Sequence, residues 1–335
     1  MEAIRYPMQM LASYAYLMPK PGVLARRSQN KFYELIGEMM KVMPIFIDSG
    51  AYTVSFTGHE IDLKAYMDYC RICDRAGAWN YIQLDKIGDR KITERNLKIM
   101  RDAGLKPMPV LTYDMPAEKA AELSKVCDGW MCCGGQPGNN TPDKVLWHRY
   151  IMAKKHGGAN ANIHALSFLR FPDIFRLPIA SVDAATWSVG QRFGVFKMYD
   201  RKIGLIATVC SEMRKAGSAA ANKRILEYFA KCGITTKEIV NGSFNHGGKA
   251  FSSMATVQAY FEYTKHCTDM GMIMWMVVTS AERVFMLASV NAAASQGIFH
   301  YKEAVRIKEH LLDLSKRDWP KCVDETVKLV RGGLR

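Results

Sequence analysis

The sequence predicts an α/β protein built on a parallel sheet, and three features carry that prediction. Between residues 40 and 190, short apolar runs alternate with segments of helical period. The helical segments carry recognisable start and stop residues. The apolar runs end on aspartate, threonine or glycine, as strands do when their C-terminal ends form a functional face. No internal repeat, low-complexity tract or linker interrupts the chain.

The first unit is the clearest. Pro44-Ile45-Phe46-Ile47 runs into Asp48-Ser49-Gly50, and Leu63, Tyr66, Cys70 and Cys73 then recur at helical spacing until Gly77 offers a stop. Tyr81-Ile82-Gln83-Leu84 ends at Asp85 and precedes a helix that Thr93 can cap, with Leu97 and Met100 inward and Gly104 beyond its end. Residues 107–112 form the next strand and lead to a helix opening near Pro116. Trp130-Met131-Cys132-Cys133 runs into Gly134-Gly135 and a helix with Thr141 as cap and Pro142 at its first position. Residues 163–167 and 179–182 complete the series, the latter ending at Asp183. Beyond it, residues 223–232 and 301–315 read as helices and 272–278 as a buried strand. Periodicity alone fits either a (β/α)8 barrel or a doubly wound sheet.

Composition narrows the class. The chain has 335 residues, 49% of them hydrophobic, enough for a large core and far from a disordered or disulfide-stapled composition. Its 46 basic and 32 acidic side chains give a formal charge of +14, which favours a polyanionic partner. Nine scattered cysteines suggest a reducing, cytoplasmic setting. Residues 8–18 are apolar but lack the features of a signal peptide, and residues 270–278 are too short to span a bilayer, so no membrane partner is expected.

Asp48, Asp85 and Asp183 stand at three strand ends, so they can converge over one pocket. Paired carboxylates are the tools of glycosidic-bond chemistry: one attacks the anomeric carbon and another shuttles the proton of the leaving group. An aspartate in such a place can also simply bond its own turn, as Asp48 can ahead of Ser49-Gly50.

Here the residues resemble a known family. Ile47-Asp48-Ser49-Gly50-Ala51-Tyr52 resembles the DSGG-aromatic motif of tRNA-guanine transglycosylases, and Ser181-Val182-Asp183 stands where that family keeps its nucleophilic aspartate. Leu84-Asp85 resembles its base-reading aspartate, and Gly134-Gly135 its glycine-rich base loop. The combination Ile-Asp-Ser-Gly-Ala, Leu-Asp-x-Ile-Gly-Asp and Val-Asp-x-x-x-Trp, with Phe193-Gly194 downstream, is most similar to phage-type relatives that act in 7-deazaguanine modification of DNA. The likeness covers roughly residues 10–200.

The resemblance implies a (β/α)8 TIM barrel with additional C-terminal helices, a single domain over residues 1–335 whose part from 190 onward is basic and helix-rich. It implies a pentosyltransferase that replaces guanine in DNA with a base such as 7-cyano-7-deazaguanine. Asp183 and Asp48 would be catalytic: Asp183 attacks C1′ and forms a covalent glycosyl-enzyme, and Asp48 moves protons to and from the bases. Asp85 would accept hydrogen bonds from the N1–H and exocyclic amine of guanine, Tyr52 would stack on the base, and Ser49, Gly50, Gly134, Gly135 and Gln136 would line its pocket. The partners would be DNA, or alternatively tRNA, and the free 7-deazaguanine base. A homodimer or partner protein is left open, as is a non-catalytic nucleic-acid-binding role or an unrelated barrel enzyme on a phosphorylated metabolite.

One departure concerns zinc. The tRNA enzymes carry Cys-x-Cys-x-x-Cys followed by a distant histidine, a spacing absent here, so no cofactor is expected. Cys70 and Cys73 fall on an apolar helical stripe, and only a dispersed set from Cys210, Cys232, His246 and His266 is left to bind metal. Residues 187–224 hold eight basic side chains, among them Arg192, Lys197, Arg201, Lys202, Arg214 and Lys215, against Asp200 and Glu212, an excess of six positive charges suited to a phosphate backbone. His164, within an apolar run, reads as a core histidine.

Overall fold

The computed structural model describes residues 8–17, 27–134, 143–188, 195–209, 227, 230, 248–295 and 301–332. Its strands, in chain order, are β1 (Gln9–Ser13), β2 (Ile45–Asp48), β3 (Asn80–Tyr81), β4 (Val110–Thr112), β5 (Trp130–Gly134), β6 (Asn162–Ala165), β7 (Ser181–Ala184), β8 (Val195–Asp200), β9 (Gly204–Val209) and β10 (Ile273–Val278). All but β8 and β9 join one parallel sheet in the order β3-β2-β1-β10-β7-β6-β5-β4. Chain order is therefore kept around the sheet, with β10 seated between β7 and β1.

The sheet curls. Phe46 of β2, Leu11 of β1, Val110 of β4, Cys132 of β5 and Trp275 of β10 share one buried cluster. A flat sheet of eight strands would hold its edges roughly 30 Å apart at about 4.8 Å per strand, too far for such sharing. The ladder, however, does not close into a regular barrel. Between its edges, β3 and β4, the backbone pairing is the single parallel bridge Ile82↔Met108, with the Met108 amide donating to the Tyr81 carbonyl at 2.8 Å and the Gln83 amide to the Met108 carbonyl at 3.0 Å. Past that point a side chain takes over: the Val110 amide donates to Gln83 Oε1 at 2.9 Å, and Gln83 Nε2 donates to the Thr93 carbonyl at 3.1 Å. Gln83 thus satisfies buried backbone groups that a longer β3 would have paired.

The elements follow their sequence signals with some adjustments. Leu63–Ala76 is capped by Asp62, whose side chain accepts from the Ala65 amide, and it stops at Gly77 in the left-handed region. Arg90–Asp102 is capped by Asp89 rather than Thr93. Thr93 sits a turn inside that helix, and its hydroxyl bonds back to the Asp89 and Lys86 carbonyls. The N-terminal stretch, apolar but unassigned from sequence, is β1 followed directly by the short helix Tyr14–Leu17. The strand expected at 179–182 runs instead over Ser181–Ala184, so Asp183 lies within β7. Residues 223–232 and the expected cap and first position, Thr141 and Pro142, lie outside the described residues, apart from Glu227 and Ala230.

The chain divides into two compact units. One comprises Gln9–Ala184 and Gly271–Ser280, and so holds the whole parallel sheet. The other is made of the described residues of Met1–Met8, Ala185–Met270 and Ala281–Arg335. In the second unit β8 and β9 form an antiparallel ribbon, and the helices Ala281–Ser295, Tyr301–Arg317 and Trp319–Gly332 pack on one another.

Candidate active site

The three aspartates singled out by sequence all stand at the C-terminal side of the parallel sheet. Asp48 closes β2, opposite Ser13 of β1. The turn after it is held by the Gly50 amide, which donates to Asp48 Oδ2 at 3.1 Å, and by the Ala51 amide, which donates to Ser49 Oγ at 3.3 Å. Gly50 has φ 82°, and a Cβ there would lie 2.4 Å from the Ala15 Cβ and 2.8 Å from the Ala15 nitrogen. Only glycine fits. Gly50→Ala is expected to cost about 2–4 kcal/mol, the sum of a left-handed residue and a backbone overlap, readable from the urea midpoint; a loss below about 1 kcal/mol would contradict the packing described.

Asp85 follows β3 in a segment pinned from below. Thr93 Oγ1 accepts from the Lys86 amide at 2.9 Å, and Asn96 Nδ2 donates to the Leu84 carbonyl at 3.0 Å, so both neighbours of Asp85 are tied to the helix Arg90–Asp102. Gly88, with φ 76°, turns the chain so that Asp89 can cap that helix by accepting from the Ile92 amide at 3.0 Å. The Leu-Asp-x-Ile-Gly-Asp motif is therefore a loop that presents one carboxylate and starts the next helix.

Asp183 receives the most deliberate support. Its Oδ1 accepts from the Ser167 amide at 2.6 Å and its Oδ2 from the Ser167 hydroxyl at 3.3 Å. Ser167 adopts φ 54°, an unusual conformation for a residue other than glycine, and strain of this kind gathers at working sites. Beneath lies His164, fully buried, with Nδ1 2.8 Å from Ser181 Oγ and Nε2 3.5 Å from Asp183 Oδ1. Ser181, His164 and Asp183 bring together the residue types of a hydrolytic triad, but Ser181 is wholly buried and cannot meet a substrate. Asp183, also buried, is held by its two hydrogen bonds from Ser167, with His164 packed beside it. Sequence reading missed Ser167, and took His164 as core packing alone.

The electrostatics separate the acids. Burial pushes Asp48 up to about 6, and the neighbouring Asp183 adds to the rise, while Ser13, the Gly50 amide and His164 pull it down. Burial likewise lifts Asp85 to about 7, with the charge of Asp48 adding and the Ser49 hydroxyl opposing. Burial drives the Cys132 thiol well above its ordinary range, and the nearby charges of Cys133, Asp85, Asp183 and Asp48 drive it further. The charges of all three carboxylates are thus felt at one buried thiol.

Comparison with protein-family models returned no match, and comparison with curated proteins returned none either.

The remaining expected site residues divide into those with a described environment and those without. Tyr52 stands on the first turn of the helix Ala51–Thr57 with 69% of its surface exposed. At Gly134 a Cβ would lie 2.4 Å from Leu166 Cδ1, so glycine there makes room for Leu166. Lys197 lies in β8, and Arg201 and Lys202 lie at the turn of the β8–β9 ribbon. Gly135, Gln136, Arg192, Arg214 and Lys215 lie outside the described residues, as do Cys210, Cys232 and His246 of the dispersed metal set. Among the described residues no group of three or more His, Cys, Asp or Glu side chains could hold a metal ion, and no helix is long and apolar enough to cross a membrane.

Proposed function

We propose that this chain is a guanine transglycosylase acting on nucleic acid, exchanging guanine in DNA for a 7-deazaguanine base on a (β/α)8-type barrel with C-terminal additions. The observation that carries the assignment is the division of labour among the carboxylates at the strand ends: Asp183 is held by two hydrogen bonds from Ser167, whereas burial keeps Asp48 near 6, where it can hold or release a proton close to neutral pH.

The chemistry follows from that arrangement. A carboxylate oxygen of Asp183 attacks C1′ of the target nucleotide; the C1′–N9 bond breaks, its electron pair goes to N9, and Asp48 supplies the proton that leaves with guanine. Asp48, now ionised, takes the N9 proton of the incoming base, whose nitrogen attacks C1′ and frees Asp183. Asp85 accepts the N1–H and the exocyclic N–H shared by guanine and its 7-deaza analogues, while Tyr52 covers the ring. Each proton and bond is accounted for without a cofactor.

Several features favour DNA as the polymer. The zinc spacing of the tRNA enzymes is absent, and the β8–β9 ribbon carries Lys197, Arg201 and Lys202. A two-stranded ribbon fits the major groove of a duplex, although the target base must still leave the stack to reach buried carboxylates. Seven described cysteines carry free thiols, in keeping with a reducing, cytoplasmic setting.

The test is incorporation of radiolabelled guanine into duplex DNA, single-stranded DNA and unmodified tRNA, run in parallel with 7-cyano-7-deazaguanine as the incoming base. Label in DNA that disappears with Asp183→Asn is the expected result. Label in tRNA alone would move the substrate to RNA, and no exchange of either base into any polymer would refute the assignment.

A further inference from the structure

Within the second unit a lysine, a threonine and a tyrosine converge. Tyr260 of the helix Gly248–Asp269 is fully buried, and its hydroxyl lies 2.6 Å from Thr186 Oγ1. The Lys197 ammonium donates to Tyr260 Oη at 2.8 Å and to Thr186 Oγ1 at 3.2 Å. The cluster is firmly seated: the Lys197 amide donates to Thr256 Oγ1 at 3.1 Å, and Tyr199 stacks on Tyr263 with ring centroids 5.2 Å apart. Thr256, Tyr260 and Tyr263 share one helix face at three- and four-residue spacing.

Counting donors shows what the cluster lacks. An ammonium has three N–H groups, and two of Lys197's are used. The two hydroxyls share one proton between them. Tyr260, being buried, is the one that must spend its proton inward, which leaves the Thr186 hydroxyl proton pointing out from an exposed residue. An ammonium N–H and a hydroxyl therefore stand about one hydrogen-bond length apart, both unspent, and among the described residues no carboxylate lies within ion-pair distance of Lys197.

We propose that Thr186, Lys197 and Tyr260 form a phosphate-binding position that grips the backbone of the polynucleotide substrate. This rests on the nucleic-acid assignment above and gives it a named contact. A backbone phosphate presents two unesterified oxygens, an acceptor set that matches the two free donors, and Tyr260 fixes both donors from behind. The same ribbon carries a second lysine, Lys202, in the turn beyond Asp200 where β8 ends, a recurrence of cationic groups that suits a row of phosphates better than a small phosphorylated metabolite. Arg201 contributes less because it pairs with Asp269 at 3.1 Å.

The test is the salt dependence of binding to fluorescent single-stranded and duplex oligonucleotides and unmodified tRNA, over about 50–200 mM salt. Lys197→Gln is expected to weaken binding uniformly across sequences and to lower the slope of log K against log salt by about 0.7 on single strands and 0.9 on duplex. Lys197→Arg should restore the slope. Tyr260→Phe and the exposed-site variant Thr186→Val keep the charge, so they should lower affinity severalfold with the slope unchanged. If the parent binds a polynucleotide and Lys197→Gln, with parental melting temperature, keeps the parental slope, the phosphate position is wrong and the nucleic-acid assignment survives. If the parent binds none of the three polymers, both fall together.

Discussion

Asp183→Asn is expected to abolish base exchange, by on the order of 10⁴-fold or more, while polynucleotide affinity stays within about twofold of the parent. The separation follows from geometry. Asparagine keeps the shape of aspartate: its Oδ1 can still accept the Ser167 amide, and its Nδ2 can donate to the Ser167 hydroxyl. The loop and His164 are therefore left in place, and what disappears is the anionic oxygen that must bond to C1′. Steady-state exchange and equilibrium binding, measured on the same preparation, check both halves. Turnover at the parental rate would remove Asp183 from the role of nucleophile.

The second large effect belongs to Asp85. Asp85→Asn replaces one of two acceptors with an N–H₂ group that faces the donors of guanine, and a site built to match a hydrogen-bond pattern loses on the order of 10³-fold or more in kcat/KM when that pattern is broken. The same substitution should stabilise the protein in alkaline solution. Asp85 titrates near 7 in the folded chain, above the ordinary carboxylate value of 3.8, because burial disfavours its charge. The folded state therefore holds this proton more tightly than the unfolded state, and the contribution of Asp85 to stability is fully present below about pH 4 and is lost as pH rises through 7. Removing the charge recovers that loss, so the gain of Asp85→Asn should grow from near zero at pH 4 to about 2–4 kcal/mol above pH 7, read from urea midpoints. A gain independent of pH would contradict the buried, uncompensated carboxylate. The parent's affinity for free guanine should rise between pH 6 and 8 for the same reason, since only the ionised carboxylate accepts both donors.

The parts of the site legible in the sequence are those where local pattern and chemistry coincide. The apolar run ending on Asp48 marks a strand end because side-chain burial and the polar rim change character at one residue, whereas the run 81–84, expected as a strand up to Asp85, is strand only over Asn80–Tyr81 and reaches Asp85 as a loop in which Gln83 replaces the ladder. β1 escaped notice because Gln9 and Ser13 are polar residues buried in the sheet and because the helix at Tyr14 follows without a turn. Ser167 could not be read because its contribution is a main-chain amide aimed by a left-handed conformation that no glycine announces. The bland expectation for His164 was correct as to burial, but its place beneath Asp183 depends on the register of β6 with β7, a pairing between segments distant in sequence. The β3–β4 seam was illegible for a related reason: a glutamine inside an apolar run gives no sign that its amide will replace a ladder. Gly134 was expected to line a base pocket, and the space a Cβ would take there is filled by Leu166, a neighbour that no local pattern announces.

The most direct test of the central claim is to look for the covalent intermediate. The protein is mixed with DNA in the absence of an incoming base, denatured, and digested, and the adducted peptide is sequenced by mass spectrometry. A base-free deoxyribose fragment esterified to Asp183, absent from Asp183→Asn and discharged by added 7-cyano-7-deazaguanine, is the predicted result. Base exchange observed together with an adduct on Asp48 or Asp85, or with no adduct under conditions that trap a glycosyl ester, would contradict it.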